Sequence, residues 1–239
     1  MPALLNTFGA TEFESVVLGA PSLEAGIAFL RDKTGLTATP LPTPDGAWNR
    51  SAILRLTTGA HVEVLAPNLG HHHRNHLGVE LTKFRQPQLI VWTVQTRDFT
   101  TAGDVAASLD HPFEEVQTTT IDEGDFKQSG KVARLGPGEN MLRPFISAYD
   151  FPTVFPGDTA ATCLATALHL SEWDAPRLNR LMAGLGLTLK ATTGEPALRL
   201  DLETPNGPVT LESGDWIKGG MGQTMARLGR HIGNMFRRR

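Results

Sequence analysis

The sequence predicts an α+β fold built from tandem strand–helix–strand–strand–strand (βαβββ) units. Three segments of the 239-residue chain repeat this order, each opening with a strand pattern that leads through a helix-start signal into an amphipathic stretch. Turn residues, mainly Gly, Pro, Asn and Thr, then separate the later strands of each segment. With 40% hydrophobic residues, a chain of this length can bury a substantial core.

The first unit is expected at about residues 11–67. Its opening strand FESVVLG precedes Ser22-Leu23-Glu24, a typical helix start, and the helix is predicted to end at Gly35. The strands SAILRLTT and AHVEVLA follow, with Thr57-Thr58-Gly59 as the hairpin turn between them.

The second unit is expected at about residues 88–150, and with the first it forms a region assigned to residues 1–155. The strand LIVWTVQT is rich in β-branched and aromatic residues, and Asp98 is suited to cap a short helix over Phe99–Leu109. The strands FEEVQTTTI, KVARLG and NMLRPFISA complete the unit.

The third unit is expected within residues 156–214. The strand TCLATALHL leads into the helix RLNRLMAGLGL, for which Pro176 suits the first turn and Gly186 suits the stop. PALRLDLET and PVTLES are predicted to pair as a closing hairpin across Pro205-Asn206-Gly207.

Charge separates the chain into an acidic body and a basic C-terminal segment, residues 215–239. After Asp215 there are six Lys and Arg and no acidic residue, so the preceding part carries 16 basic against 25 acidic residues, a net charge of −9. An acidic body argues against nucleic-acid binding by the main fold. The segment has an amphipathic pattern, and we expect it to dock on its own body or on another subunit; contact with an anionic surface is the alternative.

The order of these motifs resembles the glyoxalase-like domains of the vicinal oxygen chelate superfamily. The resemblance rests on FESVVLG answered by HVEVLAP, on RPFISAYD, and on LHLSEWDAPRLNRLMAGLGL followed by LDLETPNGPVTL, and it covers roughly residues 11–213. It implies curved mixed sheets around a pocket that binds a small oxygen-bearing organic molecule.

The resemblance also implies where a metal site is expected in such proteins. A His and a Glu from each of two paired units commonly hold a divalent ion, and the matching positions here are Ser15, Glu63, Val91 and Phe145. The third unit offers Thr166 and Thr210 at these positions. Because only Glu63 is a suitable ligand, we expect no divalent metal and no other cofactor.

Glu63 and His61 are the candidate catalytic residues. They lie two apart on one predicted strand and therefore project to the same face, where Glu63 would act as a proton-transfer base beside an imidazole. The alternative places His61 beside its turn and Glu63 in a bond to backbone or to an arginine.

Further residues are predicted to contact the ligand from their positions on or beside the strands. These are Ser15, Trp48, Asn49, Arg50, Trp92, Arg143 and Phe145. The histidines at positions 71, 72, 73 and 76 are interpreted as part of a solvated loop, because their spacing directs successive side chains differently.

Two functions remain open from the sequence. The first is a metal-independent lyase or isomerase that uses Glu63; the second is a non-catalytic protein that binds and sequesters a small molecule, similar to the antibiotic-resistance members of the superfamily. A small-molecule ligand is the expected partner in either case, and a homodimer is a further option. The sequence contains no membrane span and no leader pattern, so a cytoplasmic location is expected.

Overall fold

The computed structural model describes residues 11–123, 126–136, 142–149, 162–214 and 217. Four α-helices lie in these ranges: α1 Leu23–Thr34, α2 His76–Leu81, α3 Phe99–Ser108 and α4 Ala175–Gly184. The strands are β1 Thr11–Gly19, β2 Thr39–Pro40, β3 Asn49–Arg55, β4 His61–Pro67, β5 Gln88–Thr96, β6 Phe113–Glu123, β7 Phe126–Leu135, β8 Phe145–Tyr149, β9 Leu164–Glu172, β10 Ala191–Thr193, β11 Ala197–Thr204 and β12 Gly207–Glu212.

The first eight strands form one mixed sheet in the order β2-β3-β4-β1-β5-β8-β7-β6. Each half repeats the same plan: the first strand of the unit pairs in parallel with the last, as β1 does with β4 and β5 with β8. The halves join where β1 runs antiparallel to β5. The predicted α+β fold of tandem units is confirmed, with the two opening strands side by side at the centre of the sheet.

The helix ends follow the signals that the sequence carries. Ser22 caps α1 by accepting a hydrogen bond from the Ala25 amide at 3.1 Å, and Gly35 ends the helix at φ 75°, a left-handed conformation that suits glycine. Asp98 caps α3 by accepting from the Thr101 amide at 2.9 Å. These local signals fix where each helix leaves the sheet.

Helix α1 packs on one side of the first sheet, called here the helix face. At Gly26 the helix approaches β4 so closely that a Cβ would lie 2.3 Å from Val64 Cγ1. Trp92 belongs to the same core: it is fully buried, and its indole nitrogen donates to the Leu142 carbonyl at 2.6 Å. The opposite side of the sheet, which carries Glu63, is called the Glu63 face.

The third segment has the predicted order of elements along the chain but a different order in space. Its sheet runs β10-β9-β11-β12, whereas the first unit runs β2-β3-β4-β1. The reason is that β10 pairs in parallel with β9 and so takes the edge that the last strand takes in the first unit. The β11–β12 hairpin then pairs with the other edge of β9.

The third segment contacts both earlier units. Leu89 of the second unit forms an isolated parallel bridge with Ser213. In the first unit, Gly35 at the end of α1 lies against the Asn206 side chain, and Thr57 donates hydrogen bonds to the Cys163 carbonyl. These contacts join the third segment to the units that precede it.

The histidine segment is not the loop that the sequence predicts. His72–Arg74 forms one turn of 3₁₀ helix, and α2 starts directly after Asn75, whose side chain accepts from the Leu77 amide at 2.8 Å. Asn75 is buried, so this cap helps to hold the segment on the body.

The longest described helix, α1, has 12 residues, and no helix in the described ranges is long and apolar enough to cross a membrane. Of the basic segment 215–239, only Ile217 belongs to the described residues, where it is buried; the prediction for this segment otherwise lies outside them.

Candidate functional site

Strand register assigns the residues of the Glu63 face. Glu63 lies beside Val17 on β1 and Ile53 on β3, and side chains in register on neighbouring strands point to the same side of the sheet. By the same reasoning Ser15 and His61, which are register partners, share this face. The strands that carry Ser15 and Glu63 therefore lie side by side, as predicted.

A β-bulge brings a second carboxylate to this face. Between Phe13 and Ser15 the β1–β5 register shifts by one residue, so Glu14 and Ser15 together lie opposite Thr93. Strict alternation would turn Glu14 to the helix face, but a bulge re-aims side chains and is common beside functional sites. Glu14 is not among the predicted site residues, because nothing in FESVVLG marks the bulge.

Hydroxyl groups hold the Glu14 carboxylate in place. Ser147 Oγ donates to Glu14 Oε2 at 2.5 Å, and the Thr93 hydroxyl also bonds to this carboxylate. Ser15 Oγ lies 2.6 Å from Thr93 Oγ1. Since a hydroxyl has one proton, a Thr93 group that donates to Glu14 must accept from Ser15, giving a chain Ser15 to Thr93 to Glu14. Burial raises the pKa of Glu14 above its usual value, and these hydroxyl bonds partly offset the rise.

Glu63 is the second buried carboxyl of the face. Its side chain is buried, and this burial raises its pKa to about 7, with the nearby negative charge of Glu14 as the second cause. A hydrogen bond with Ser51 opposes the rise. The predicted bond to an arginine is not among the interactions that shift the pKa of Glu63.

His61 lies beside this pair as a neutral imidazole. Burial, and secondarily the positive charge of Arg55, its register partner on β3, lower its pKa to about 4. The side chain is buried at the start of β4, directly after the turn, and it shares the face of Glu63.

Three of the residues predicted to contact a ligand lie on the Glu63 face. Ser15 belongs to the hydroxyl chain, Asn49 follows from the register of β3 with β4, and Phe145 is the register partner of Thr93. All three are buried.

Three others do not lie on this face. Trp92 alternates to the helix face and is core. Arg50 forms an ion pair with Glu24 of α1 at 2.7 Å, because its position on β3 also points to the helix side. The Trp48 ring precedes β3 and packs close to Gly78 of α2, so it fills the space between that helix and the sheet.

Arg143 belongs to a separate charged group. The charges that act on its guanidinium are those of Arg177, Glu172, Glu114 and Arg134, and burial together with the neighbouring arginines lowers its pKa. Glu172 and Arg177 belong to the third segment, so this group lies where that segment meets the second unit. Arg143 itself precedes β8, four positions before Ser147, and its contact with a ligand stays a prediction.

The donor set does not match the metal centre that the fold family implies. The positions compared carry Ser15, Val91, Phe145 and Glu63, and the register places Thr93, not Val91, opposite Ser15. Two carboxylates and several hydroxyls are present, without an imidazole pair facing them. Within the described ranges, no group of three or more His, Cys, Asp or Glu side chains is arranged to hold a metal ion, and this includes the four histidines at 71–76.

The chain was compared with known proteins. No protein-family profile matches it, and no curated protein does. Among solved structures, a hypothetical protein from Staphylococcus aureus matches with a TM-score of 0.52 at 9% identity, covering 85% of each chain. A mutant of 4-hydroxymandelate synthase from Streptomyces coelicolor matches with a TM-score of 0.50 at 14% identity, covering 85% of this chain and 62% of that one.

Methylmalonyl-CoA epimerase from Mycobacterium tuberculosis also matches, with a TM-score of 0.42 at 14% identity, covering 62% of this chain and 90% of that chain. At these identities the likeness concerns the fold alone. The synthase belongs to the superfamily that the sequence motifs indicated. Its TM-score of 0.50 and the paired βαβββ units together show that this chain has the glyoxalase-like fold.

Proposed function

We propose that this protein is a metal-independent isomerase that moves a proton on a small carbonyl compound bound at the Glu63 face. The observation that carries the proposal is the pair of buried carboxyl groups, Glu14 and Glu63, whose charges repel each other. Two such groups cannot both ionise readily in a buried site, so near neutral pH they hold one proton between them. One member is then an acid and the other a base.

The hydroxyl bonds decide how the proton is shared. Donation by Ser147 and Thr93 favours the ionised form of Glu14, whereas the pKa of Glu63 is raised to about 7. In the resting pair Glu63 therefore carries the proton below pH 7 and Glu14 is the base. From the sequence, Glu63 alone is the expected base; we propose instead that the pair exchanges the two roles during the reaction.

Both carboxyls approach from the same side of the sheet, on adjacent strands. Glu14 lies three positions before Val17, the register partner of Glu63, which separates the two backbone positions by roughly 10 Å along the strands. This arrangement favours removal and return of a proton on one side of the molecule, as in a shift between neighbouring atoms, and the apolar neighbours Val17, Ile53 and Phe145 favour a small, largely uncharged substrate.

The proposal is tested by proton exchange from deuterated water. The purified full chain, free of any affinity tag, is incubated with dihydroxyacetone, 2-oxobutanoate or acetoacetyl-coenzyme A, and loss of the α-proton signal is followed by ¹H NMR. We expect exchange with at least one probe, and a fall in rate as the pH rises through about 7, because Glu63 then loses its proton.

Glu63→Gln should reduce the exchange rate about 100-fold or more, the usual range for loss of a general acid or base. Glu12→Gln, which changes an exposed carboxylate on the same strand as Glu14, serves as the matched control and should keep the wild-type rate. Exchange that is equal in wild type and Glu63→Gln contradicts the proposal. Binding of a probe without exchange favours the sequestering function instead.

A further inference from the structure

The described residues place one aromatic hydroxyl near the carboxyl pair. Tyr149 ends β8 and lies two positions after Ser147, so both side chains point to the Glu63 face. Ser147 already bonds to Glu14. The negative charges of Glu14 and Glu63 both act on the phenol, so its hydroxyl lies within electrostatic range of both carboxyls, although the strands of the three residues are not all adjacent.

A glycine on the neighbouring strand makes room for the ring. Gly130 is the register partner of Tyr149 on β7, and a Cβ at Gly130 would lie 2.2 Å from Tyr149 Cδ1 and 2.7 Å from Cε1. No side chain other than hydrogen fits there without moving the ring. The ring therefore lies across β7, half-buried, and its position is set by the backbone of two paired strands.

The phenol stays protonated in this environment. Burial and the two neighbouring carboxyl charges raise the pKa of Tyr149 well above its usual range. A group that keeps its proton at every working pH donates a hydrogen bond and does not act as a base. Such a donor suits an oxygen on which negative charge develops.

We propose that Tyr149 is a third catalytic residue, which donates a hydrogen bond to the carbonyl oxygen of the substrate while the Glu14–Glu63 pair moves the proton. This inference rests on the proposed function, and it narrows the substrate class to compounds with a C–H bond next to a carbonyl group.

The reaction needs no proton and no electron from outside the site. The ionised carboxyl takes the proton from carbon, and the bonding electrons move into the carbonyl, whose oxygen becomes an enolate that accepts the hydrogen bond from Tyr149. Where the carbon that lost the proton carries a hydroxyl group, the protonated carboxyl then gives its proton to the former carbonyl carbon, the hydroxyl proton passes to the enolate oxygen, and the O–H bonding electrons form the new carbonyl group. The phenol keeps its own proton, and the carboxyl pair ends with one proton, as it began.

Tyr149 is the only tyrosine in the chain, which allows a direct test of its surroundings. Replacing it biosynthetically with 3-fluorotyrosine gives one ¹⁹F resonance, whose pH titration follows this phenol in the full-length protein. We expect a midpoint above that of free 3-fluorotyrosine, and a lower midpoint in Glu14→Gln and in Glu63→Gln, because each variant removes a negative charge beside the phenol.

Glu24→Gln is the matched control, since it removes a carboxylate from α1 on the helix face and should leave the midpoint unchanged. Equal midpoints in wild type, Glu14→Gln and Glu63→Gln would overturn the inference, because the phenol would not face the pair. This measurement needs no substrate, so its result is independent of whether the proposed isomerase activity is found.

The catalytic role is tested by Tyr149→Phe, which keeps the ring over Gly130 and removes only the hydroxyl. With the probe that undergoes exchange, we expect kcat to fall about 100-fold, the usual effect of losing one donor to a developing oxyanion, with KM changed less than threefold. Unchanged kcat with a lower melting temperature would show a structural role and overturn the inference. Absence of exchange in wild type would count against the proposed function, and the ¹⁹F titration would still decide the position of the phenol.

Discussion

Glu63 links the protonation of the site to the stability of the fold. Its pKa is raised to about 7 in the folded protein from an ordinary value of 4.5, so the folded state binds this proton more tightly than the unfolded state does. The stabilisation is fully present below pH 4.5 and is lost as the pH rises to about 7 and beyond. A shift of this size corresponds to as much as about 3 kcal/mol.

Glu63→Gln should therefore change how stability depends on pH. A glutamine keeps the shape and the capacity to bond with Ser51 but has no charge to bury, so we expect the variant to gain up to about 3 kcal/mol relative to wild type on going from pH 5 to pH 8. Urea unfolding at both pH values measures this difference. Glu12→Gln, at an exposed position of β1, provides the comparison; a wild-type pH dependence in Glu63→Gln would contradict the assigned burial.

The face of the sheet to which a side chain points could be predicted where side chains alternate regularly along a strand. It could not be predicted where the strand is irregular. Glu63 and Ser15 follow from simple alternation along HVEVLAP and FESVVLG, and both lie on the predicted face. Glu14 does not, because the bulge that re-aims it depends on the pairing of β1 with β5, two strands from different units. The register also puts Thr93 opposite Ser15, two residues from Val91, the position inferred by aligning the units. Trp92 lies between them and therefore alternates to the helix face.

At the scale of elements, the contact between α1 and β4 fixes the distance between the helix and the sheet. Gly26 lies in the buried face of α1, and a Cβ there would lie 2.3 Å from Val64 Cγ1 and 3.0 Å from Ala20 Cβ. In an isolated helix Gly→Ala gains about 1 kcal/mol. Here the added methyl group has no room, so packing opposes the helix preference.

Gly26→Ala should destabilise the protein by about 1–2 kcal/mol, since overpacking costs about 1–3 kcal/mol and outweighs the gain in helix propensity. Combining it with Val64→Ala should recover part of the loss, which a double-mutant cycle from urea unfolding measures. Gly103→Ala in α3, where the nearest atom is a Phe113 ring carbon at 3.2 Å, is the control and should be near neutral. Additive effects of the first two changes would contradict the close contact.

Elements with local signals were predicted and those without were not. Helix ends are marked by residues next to them in the sequence: the N-caps Ser22 and Asp98 and the C-cap Gly35. Helix α2 lacks such a clear pattern: its six residues follow a run of histidines, and the Asn75 cap depends on burial against the body. The short length and the dependence on tertiary packing explain why the segment resembled a loop.

At the scale of the whole molecule, the repeated order of elements predicts the paired units but not how a third one joins them. The first strand of each unit has two edges that can pair. Local sequence patterns do not indicate with which edge a later strand pairs. In the third segment β10 occupies the edge beside β9, and the hairpin takes the other. The contacts of this sheet with β5, α1 and the turn after β3 arise from distant parts of the chain and leave no short-range signal.

Cys163, the only cysteine of the chain, can report whether the junction between the third segment and the first unit opens before the whole protein unfolds. Cys163 is fully buried where the third segment begins, its carbonyl accepts from the Thr57 amide at 2.8 Å and from the Thr57 hydroxyl at 3.0 Å, and burial raises its thiol pKa to about 11. Since the thiolate is the reactive form, labelling by 5,5′-dithiobis(2-nitrobenzoic acid) requires opening of the junction.

We expect the free energy of opening from the labelling rate at pH 8 to equal the free energy of unfolding from circular dichroism, because the second sheet packs on β5 and α1 and should unfold with them. Thr57→Val, which removes the hydroxyl bond and keeps the amide bond, should lower both values equally by about 1 kcal/mol. Thr192→Val, which removes a hydroxyl bond to Leu170 within the second sheet, is the matched control. Labelling at a free energy well below that of global unfolding would mean that the third segment detaches on its own, and Thr57→Val would then accelerate labelling without moving the global transition.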